Sequence, residues 1–266
     1  MTPQDHATAA ADLIRAEKTS RQIGLLSLRY PEIGMDDAYA IQNALYQAKL
    51  AEGRKVIGWK IGLTSKAMQS ALGIDIPDSG ILFDNMLFQS GAEIPKGRFI
   101  QPRMEAEIAF VMKAPLGGAE VTRADVLAAT DYVTPAIEIL DTRILRADPA
   151  TGQTRKVFDT ISDNAANAGI VLGTQQHSPD QVDLRWVGAM VFRNGEIEET
   201  GLGAGVLNDP AESVVWLARR MSQYGQKIEA GQVILSGSFI RPVECPSGAQ
   251  IIADYGSFGT VSVDFA

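Results

Sequence analysis

Two glutamates two positions apart, Glu105 and Glu107, lie in the segment Met104-Glu105-Ala106-Glu107-Ile108-Ala109-Phe110-Val111. Side chains of a strand alternate between its faces, so Met104, Ala106, Ile108 and Phe110 share one face and the two carboxylates share the other. Like charges held that close repel, and the arrangement calls for water, a cation or a proton between them. A strand face open to solvent would meet the same need. A third carboxylate, Glu138, sits in the apolar run Val133-Thr134-Pro135-Ala136-Ile137-Glu138-Ile139-Leu140, where an uncompensated charge is costly. If the two segments converge, three carboxylates form a hard, all-oxygen site of the kind magnesium or manganese prefers.

In Ile57-Gly58-Trp59-Lys60-Ile61-Gly62-Leu63-Thr64, strand alternation puts Trp59, Ile61 and Leu63 on one face and Lys60 on the other, between two glycines that leave space for a ligand. A lone strand lysine is also an ordinary snorkelling surface residue. Beside a metal its pKa would fall, and it would exchange protons near neutral pH. The stretch Ile76-Pro77-Asp78-Ser79-Gly80 reads first as a turn, with Asp78 a second candidate acid or base. Asp159 to Asn164, followed by Ala165-Ala166-Asn167-Ala168-Gly169, is polar and small, suited to a plain loop or to one closing over a ligand.

Composition limits the alternatives. With 266 residues, 45% of them hydrophobic and 21% charged, the chain can bury a core, which excludes a disordered or fibrous protein. A formal net charge of −8 repels polyanions, and basic runs stop at pairs such as Arg219-Arg220, so nucleic acid is not an expected partner. The single cysteine, Cys245, excludes an intrachain disulfide framework and fits a reducing compartment. A catalytic thiol would need a base. The two histidines, His6 in a polar terminus and His177 in a Gln-Gln-His-Ser-Pro loop, both read as solvated, which argues against histidine catalysis and a histidine zinc site. The opening residues lack the basic-then-apolar pattern of a secretory signal, and no apolar run approaches the roughly 20 residues of a membrane span. A cytoplasmic protein without membrane contact is expected.

The elements that must position these groups follow from local signals. Thr2 as cap and Pro3 in the first turn open a helix carrying Ala10, Leu13 and Ile14 and ending near Thr19. A second starts after Asp36, carries Ala40, Ile41, Ala44, Leu45 and Ala48, and stops at Gly53. From Val56 the pattern turns to short apolar runs broken by glycine, proline and aspartate. Asn194-Gly195 marks a hairpin between residues 189–192 and 196–198, Asp209-Pro210 caps a helix ending at Gly225, and 233–235 and 260–265 close the chain as strands. Helices first and strands afterwards predict an α+β chain with a helical N-terminal segment over 1–55 and a single compact core over 56–266.

Four of these segments carry a resemblance when taken in order. Trp59-Lys60-Ile61-Gly62-Leu63-Thr64-Ser65, Arg103-Met104-Glu105-Ala106-Glu107, Glu138 in its apolar run, and Asp254-Tyr255-Gly256-Ser257-Phe258-Gly259 together resemble the 2-keto-4-pentenoate hydratase branch of the fumarylacetoacetate hydrolase superfamily. The resemblance spans nearly the whole chain. Residues 155–169, with the segment before them from Asp148, are similar to the members that act on a seven-carbon 2-oxo diacid in homoprotocatechuate breakdown. The position of Trp59 is often histidine in such relatives, so the pocket differs there.

The resemblance implies a mixed-sheet, roll-like core, a homo-oligomer, and Glu105, Glu107 and Glu138 as ligands of Mg2+ or Mn2+. Lys60 and Asp78 become the candidate proton carriers, and Thr64, Arg155, Ser162 and Ser238 the candidate substrate contacts; Arg155 and Lys156 can equally be surface charges. The reaction it implies is addition of water to 2-oxohept-4-ene-1,7-dioate, giving 4-hydroxy-2-oxoheptanedioate. Alternatives are decarboxylation of 2-oxo-3-hexenedioate, hydration of 2-hydroxypenta-2,4-dienoate, carbon–carbon hydrolysis, for which neither histidine is well placed, and a non-catalytic role holding a neighbouring pathway enzyme.

Overall fold

The computed structural model describes residues 1–66, 69–70 and 76–266. Helix α1 (Pro3–Thr19) starts in a capping box: the Asp5 backbone N–H donates to the Thr2 hydroxyl, and the Thr2 backbone N–H donates to the Asp5 carboxylate at 2.9 Å. The short helix α2 (Leu26–Arg29) leads to α3 (Met35–Ala51), which starts two residues earlier than expected. Ala9, Ala10 and Leu13 of α1 and Ile41 and Leu45 of α3 bury their small-and-large stripes in one cluster, completed by Leu25, Leu26 and Ile144. A Lys49–Glu17 ion pair of 2.6 Å pins the two long helices together.

Strands follow: β1 (Val56–Gly62), β2 (Asp78–Phe83), β3 (Leu87–Gln89), β4 (Ala92–Ile94) and β5 (Arg103–Met112). After helix α4 (Arg123–Ala129) come β6 (Thr130–Leu140), helix α5 (Val157–Ser162) and β7 (Asn167–Leu172). The hairpin β8 (Gly188–Arg193) and β9 (Glu196–Leu202) turns at Asn194-Gly195, whose φ values of 53° and 84° are those its type requires. Helix α6 (Pro210–Ser222) is capped by the Asp209 carboxylate, which accepts the Ala211 N–H at 2.9 Å. Strands β10 (Val233–Leu235), β11 (Val243–Glu244), β12 (Gln250–Asp254) and β13 (Thr260–Phe265) complete the chain.

These strands make two mixed sheets, so the architecture is α+β. The first runs β2-β1-β10-β5-β6-β7-β3, with β11 on the end of β5; the second runs β4-β13-β12-β8-β9. Met104, Ala106, Ile108 and Phe110 of β5, all fully buried, point into a core shared with Val191, Ile251 and Val263 of the second sheet. On its other face the first sheet buries Leu82, Ala109, Ala136 and Ile170, so it is covered on both sides. The face opposite Met104 is the one that carries Glu105 and Glu107. Among the described residues, no helix is long and apolar enough to cross a membrane.

Three local expectations fail, each to tertiary structure. Asp78 to Gly80 are not a turn but the start of β2, because antiparallel pairing with β1 takes up their backbone groups. Residues 157–162 are helical rather than a loop; the buried Asp159 carboxylate accepts the Lys156 N–H at one oxygen and reaches Ser27 N–H and hydroxyl across the fold. Neither histidine is simply solvated: His6 Nε2 lies 2.8 Å from Asp37, and His177 stacks on Phe258 at 4.5 Å with Nε2 2.8 Å from the Phe258 carbonyl.

Candidate active site

The three glutamates converge because β5 and β6 pair antiparallel in one register. Glu105 stands directly opposite Glu138, and Glu107 opposite Ala136. One oxygen from each of Glu105, Glu107 and Glu138 lies within 4.8 Å of the others. Glu107 and Glu138 are fully buried and Glu105 partly so. Burial first, then the charge of Glu138, pushes the Glu105 carboxyl up to about 8, and the same two causes raise Glu107 well above the usual carboxylate range. Three negative charges so placed cannot coexist unaided.

Each buried ligand is held by one oxygen and leaves the other without a partner. Glu107 Oε2 accepts the Gly237 N–H at 2.7 Å, while Glu107 Oε1 makes no hydrogen bond among the described residues. Glu138 Oε1 accepts from Asn167 Nδ2 at 2.7 Å, and Glu138 Oε2 is likewise unpartnered. Orphaned buried carboxylate oxygens are costly. Three carboxylates with an oxygen of each within 4.8 Å of the others make a donor set that fits a divalent cation of the magnesium or manganese type.

Lys60 and Asp78 meet beside this trio across the β1–β2 pair. Lys60 Nζ lies 3.4 Å from Glu138 Oε1 and donates to the Ala165 carbonyl at 3.3 Å, and the side chain is almost wholly buried. Burial acts to lower the pKa of this ammonium, but Glu138, Asp78, Glu105 and Glu107 outweigh it and hold Lys60 protonated. The lowering expected beside a metal requires a cation to offset those carboxylates. Asp78, buried and with Oδ1 lacking a partner among the described residues, has its carboxyl pKa raised, chiefly by burial.

The glycines around Lys60 work differently from the expectation. A Cβ on Gly58 would lie 1.8 Å from the Val233 carbonyl oxygen, so this glycine lets β10 approach and opens no ligand space. A Cβ on Gly62 would lie 2.2 Å from Asp78 Oδ1 and 2.9 Å from Lys60 Nζ, so Gly62 is what admits the lysine–aspartate pair. Gly80, opposite Lys60, does the same for the lysine stem and for the Asn164 carbonyl.

That carbonyl belongs to an unusual segment. Asn164, Ala165 and Ala166 are three consecutive non-glycine residues at φ of 53°, 53° and 59°. Left-handed backbone costs roughly 1–2 kcal/mol per such residue, and its surroundings must impose it. The Asn164 carboxamide accepts the Ile81 N–H at 2.8 Å and donates to the Ile81 carbonyl at 2.9 Å. Buried Arg143 bridges the two ends of the run, with Nε 2.5 Å from Asp163 Oδ1, Nη2 on the Asp163 carbonyl and Nη1 on the Asn167 carbonyl.

The other expected contacts are dispersed. Thr64 is buried against Gly237, the residue that donates to Glu107. Ser162 is buried and its hydroxyl has no partner among the described residues. Arg155 donates to the Thr142 hydroxyl, and Lys156 is exposed. The Ser238 hydroxyl is occupied locally, donating to the Ile240 carbonyl at 2.9 Å and accepting its N–H. Cys245 is buried, and burial pushes its thiol up to about 12, which leaves it inert.

Sequence reasoning missed Asn167, Asn164, Arg143 and Tyr255 as site residues. The Tyr255 hydroxyl inserts between β5 and β6, accepting the Glu107 N–H at 3.0 Å and donating to the Ala136 carbonyl at 2.6 Å. A tyrosine needs a partner for its hydroxyl when buried, which was the available signal. The asparagines carried none beyond lying in a polar, small-residue stretch.

The chain matches no family model. It is 53% identical over 260 residues to the 2-oxo-hept-4-ene-1,7-dioate hydratase of Escherichia coli, covering 98% of this chain and 97% of that protein. To the 2-keto-4-pentenoate hydratase of Paraburkholderia xenovorans it is 42% identical over 265 residues, 100% of this chain and 96% of the other. Among solved structures, the 4-oxalocrotonate decarboxylase from Pseudomonas putida G7, complexed with magnesium and adipate, superposes with a TM-score of 0.93 at 34% identity, covering 100% of this chain and 99% of that one. With its strands in that arrangement and identity of this order along its whole length, the chain belongs to the 2-keto-4-pentenoate hydratase branch of the fumarylacetoacetate hydrolase superfamily.

Proposed function

We propose that this chain is a Mg2+- or Mn2+-dependent hydro-lyase that adds water to 2-oxohept-4-ene-1,7-dioate, giving 4-hydroxy-2-oxoheptanedioate. The observation that carries the reading is the convergence of Glu105, Glu107 and Glu138 beside Lys60 and Asp78, with unpartnered oxygens on Glu107 and Glu138. The choice of substrate is supported by the 53% identity to the hydratase of that name.

Glu105, Glu107 and Glu138 would hold the cation, which when bound would supply Lewis acidity to a 2-oxo acid. The chain's own residues do the rest. Lys60, its ammonium placed between Glu138 and the Ala165 carbonyl, is the proton donor to the conjugated chain, and Asp78, buried beside it, takes a proton or orients the incoming water. Both side chains are themselves almost wholly shielded from bulk water. Thr64, against the Gly237 that donates to Glu107, and Ser162, whose hydroxyl has no partner among the described residues, are the proposed neutral donors to substrate, with Arg155 for the distal carboxylate.

Ultraviolet loss of the dienol chromophore, followed for five-, six- and seven-carbon 2-oxo acids with and without Mg2+, tests the reading. The seven-carbon diacid should be turned over fastest and chelator should stop it; a metal-independent rate would end the proposal. A second reading, decarboxylation, is favoured by the superposition on the magnesium-bound decarboxylase. Carbon dioxide release from the six-carbon diacid separates the two. The enzyme is proposed to work as a cytoplasmic homo-oligomer. Exposed Met190, Ile197, Leu202 and Ile252 on the second sheet support the assembly, and light scattering of the purified chain measures it.

A further inference from the structure

The left-handed run from Asn164 to Ala166 stands between two elements of the site. Its middle carbonyl, that of Ala165, receives Lys60 Nζ at 3.3 Å. The residue that follows it, Asn167, donates its carboxamide to Glu138 at 2.7 Å. One short segment thus contacts both the proton carrier and a carboxylate of the trio. Left-handed φ at three successive residues with side chains does not persist by local preference, since asparagine tolerates it and alanine does not. The restraint comes from the Asn164 carboxamide, which makes both of its hydrogen bonds to the backbone of one residue, Ile81 in β2. Strand β2 is also the strand that carries Asp78 and, opposite Lys60, Gly80. The clamp therefore refers the Ala165 carbonyl to the same strand pair that presents Lys60 and Asp78.

We propose that Asn164 is a positioning residue for the reaction: by locking the Asn164–Ala166 run onto β2, it holds the Ala165 carbonyl where it fixes the Lys60 ammonium against Glu138. The inference rests on the reading of Lys60 as proton carrier given above. It makes a demand that a merely structural asparagine would not. Loosening the clamp should impair the chemical step while leaving cation binding intact, because among the described residues Glu105 and Glu107 make no hydrogen bond to the run and Glu138 keeps Asn167.

Asn164→Gly keeps left-handed backbone accessible and removes both hydrogen bonds. Asn164→Asp retains an acceptor for the Ile81 N–H but loses the donor to its carbonyl. Turnover of the seven-carbon substrate and calorimetric binding of Mg2+ alone are measured on each. For Asn164→Gly, kcat should fall by about 10- to 100-fold, the range that displacement of a reacting group commonly produces. The Mg2+ dissociation constant should stay within about threefold of the parent's, the trio's own partners being untouched. Asn164→Asp should fall between parent and glycine variant, and it carries the test by the same two criteria if Asn164→Gly gives no cooperative melt. Parent-like kcat in the folded variant overturns the proposal, and so does loss of Mg2+ affinity equal to the loss of kcat. Two controls separate the readings. If the parent does not hydrate the substrate with Mg2+, or if Lys60→Met turns over like the parent, the functional assignment falls; if both controls behave and the Asn164 variants match the parent, only the positioning role falls.

Discussion

Glu105 and Glu138 are directly paired residues on neighbouring antiparallel strands, so two carboxylates occupy the positions at which a sheet normally places complementary side chains. Like charges directly opposite destabilise a strand pair. The sheet tolerates them because the Lys60 ammonium stands 3.4 Å from Glu138 and the neighbouring carboxyls rise toward the protonated state.

A divalent cation should therefore stabilise this protein as well as activate it. At 100 times its dissociation constant, Mg2+ should raise the unfolding free energy by about 2.7 kcal/mol. Glu107→Gln should lose this response and weaken Mg2+ on the order of 100-fold or more, since removal of outer contacts alone costs 10–100-fold. Its metal-free form should melt no lower than the metal-free parent, because the carboxyl it replaces is already driven toward its neutral form and the amide oxygen can still accept the Gly237 N–H. Differential scanning calorimetry with and without chelator checks all three.

Lys60→Met should lower kcat by about 10²- to 10⁴-fold, the usual worth of a positioned proton carrier. The metal-free variant should also melt lower, because Glu138 and Asp78 lose the Lys60 ammonium beside them while remaining buried. Unchanged turnover in single-turnover experiments would assign the proton transfer elsewhere.

The Arg143–Asp163 pair is buried and fully hydrogen-bonded, which makes its halves interdependent. Asp163→Asn or Arg143→Met alone should cost about 3–5 kcal/mol, each leaving a buried charge behind. The double variant should cost less than the sum by more than about 1 kcal/mol. Urea unfolding of the four proteins gives the coupling directly.

Acid should loosen the helical segment through Glu17. Burial raises the pKa of Glu17, but Lys49 at 2.6 Å, helped by Arg143, more than offsets this, so the folded value lies below the ordinary 4.5. A depressed carboxyl pKa contributes stability above the unfolded value and loses it as pH falls through the folded one. Glu17→Gln should thus cost about 1 kcal/mol or less at pH 7, the scale of a partly exposed pair, and nothing once the pH is well below the folded value. The difference between the two stability–pH curves should close on the acid side of pH 4.5.

Strand alternation made the site's first half legible: Glu105 and Glu107 share a face because Met104, Ala106 and Ile108 must share the other. Glu138 was legible as a charge in an apolar run. What alternation cannot supply is register, and it is register that sets Glu105 against Glu138 rather than a neighbour. Asp78 read as a turn because proline, aspartate, serine and glycine favour one locally, and only pairing with β1 overrides them. The roles of Asn164 and Asn167 depend on a left-handed backbone that two alanines argue against. Arg155 looked like a ligand for a distal carboxylate from its charge alone, and the structure adds a Thr142 hydroxyl as its neighbour.

Tyr255→Phe should strand two buried backbone groups, the Glu107 N–H and the Ala136 carbonyl. Leaving such groups unsatisfied costs about 1–3 kcal/mol each. We expect a clear drop in melting temperature together with weaker Mg2+ binding, because Glu107 takes its position from the backbone that the hydroxyl steadies. Calorimetry of Mg2+ on the folded variant tests the second effect separately.

Tyr255 follows β12, whereas every proposed cation ligand lies before residue 140. During synthesis the three glutamates leave the ribosome more than a hundred residues ahead of the phenol that braces the backbone at Glu107 and Ala136. In a growing chain the backbone at Glu107 and Ala136 therefore stays unbraced until the segment after β12 has been made, so the cleft between β5 and β6 matures later than the residues that line it.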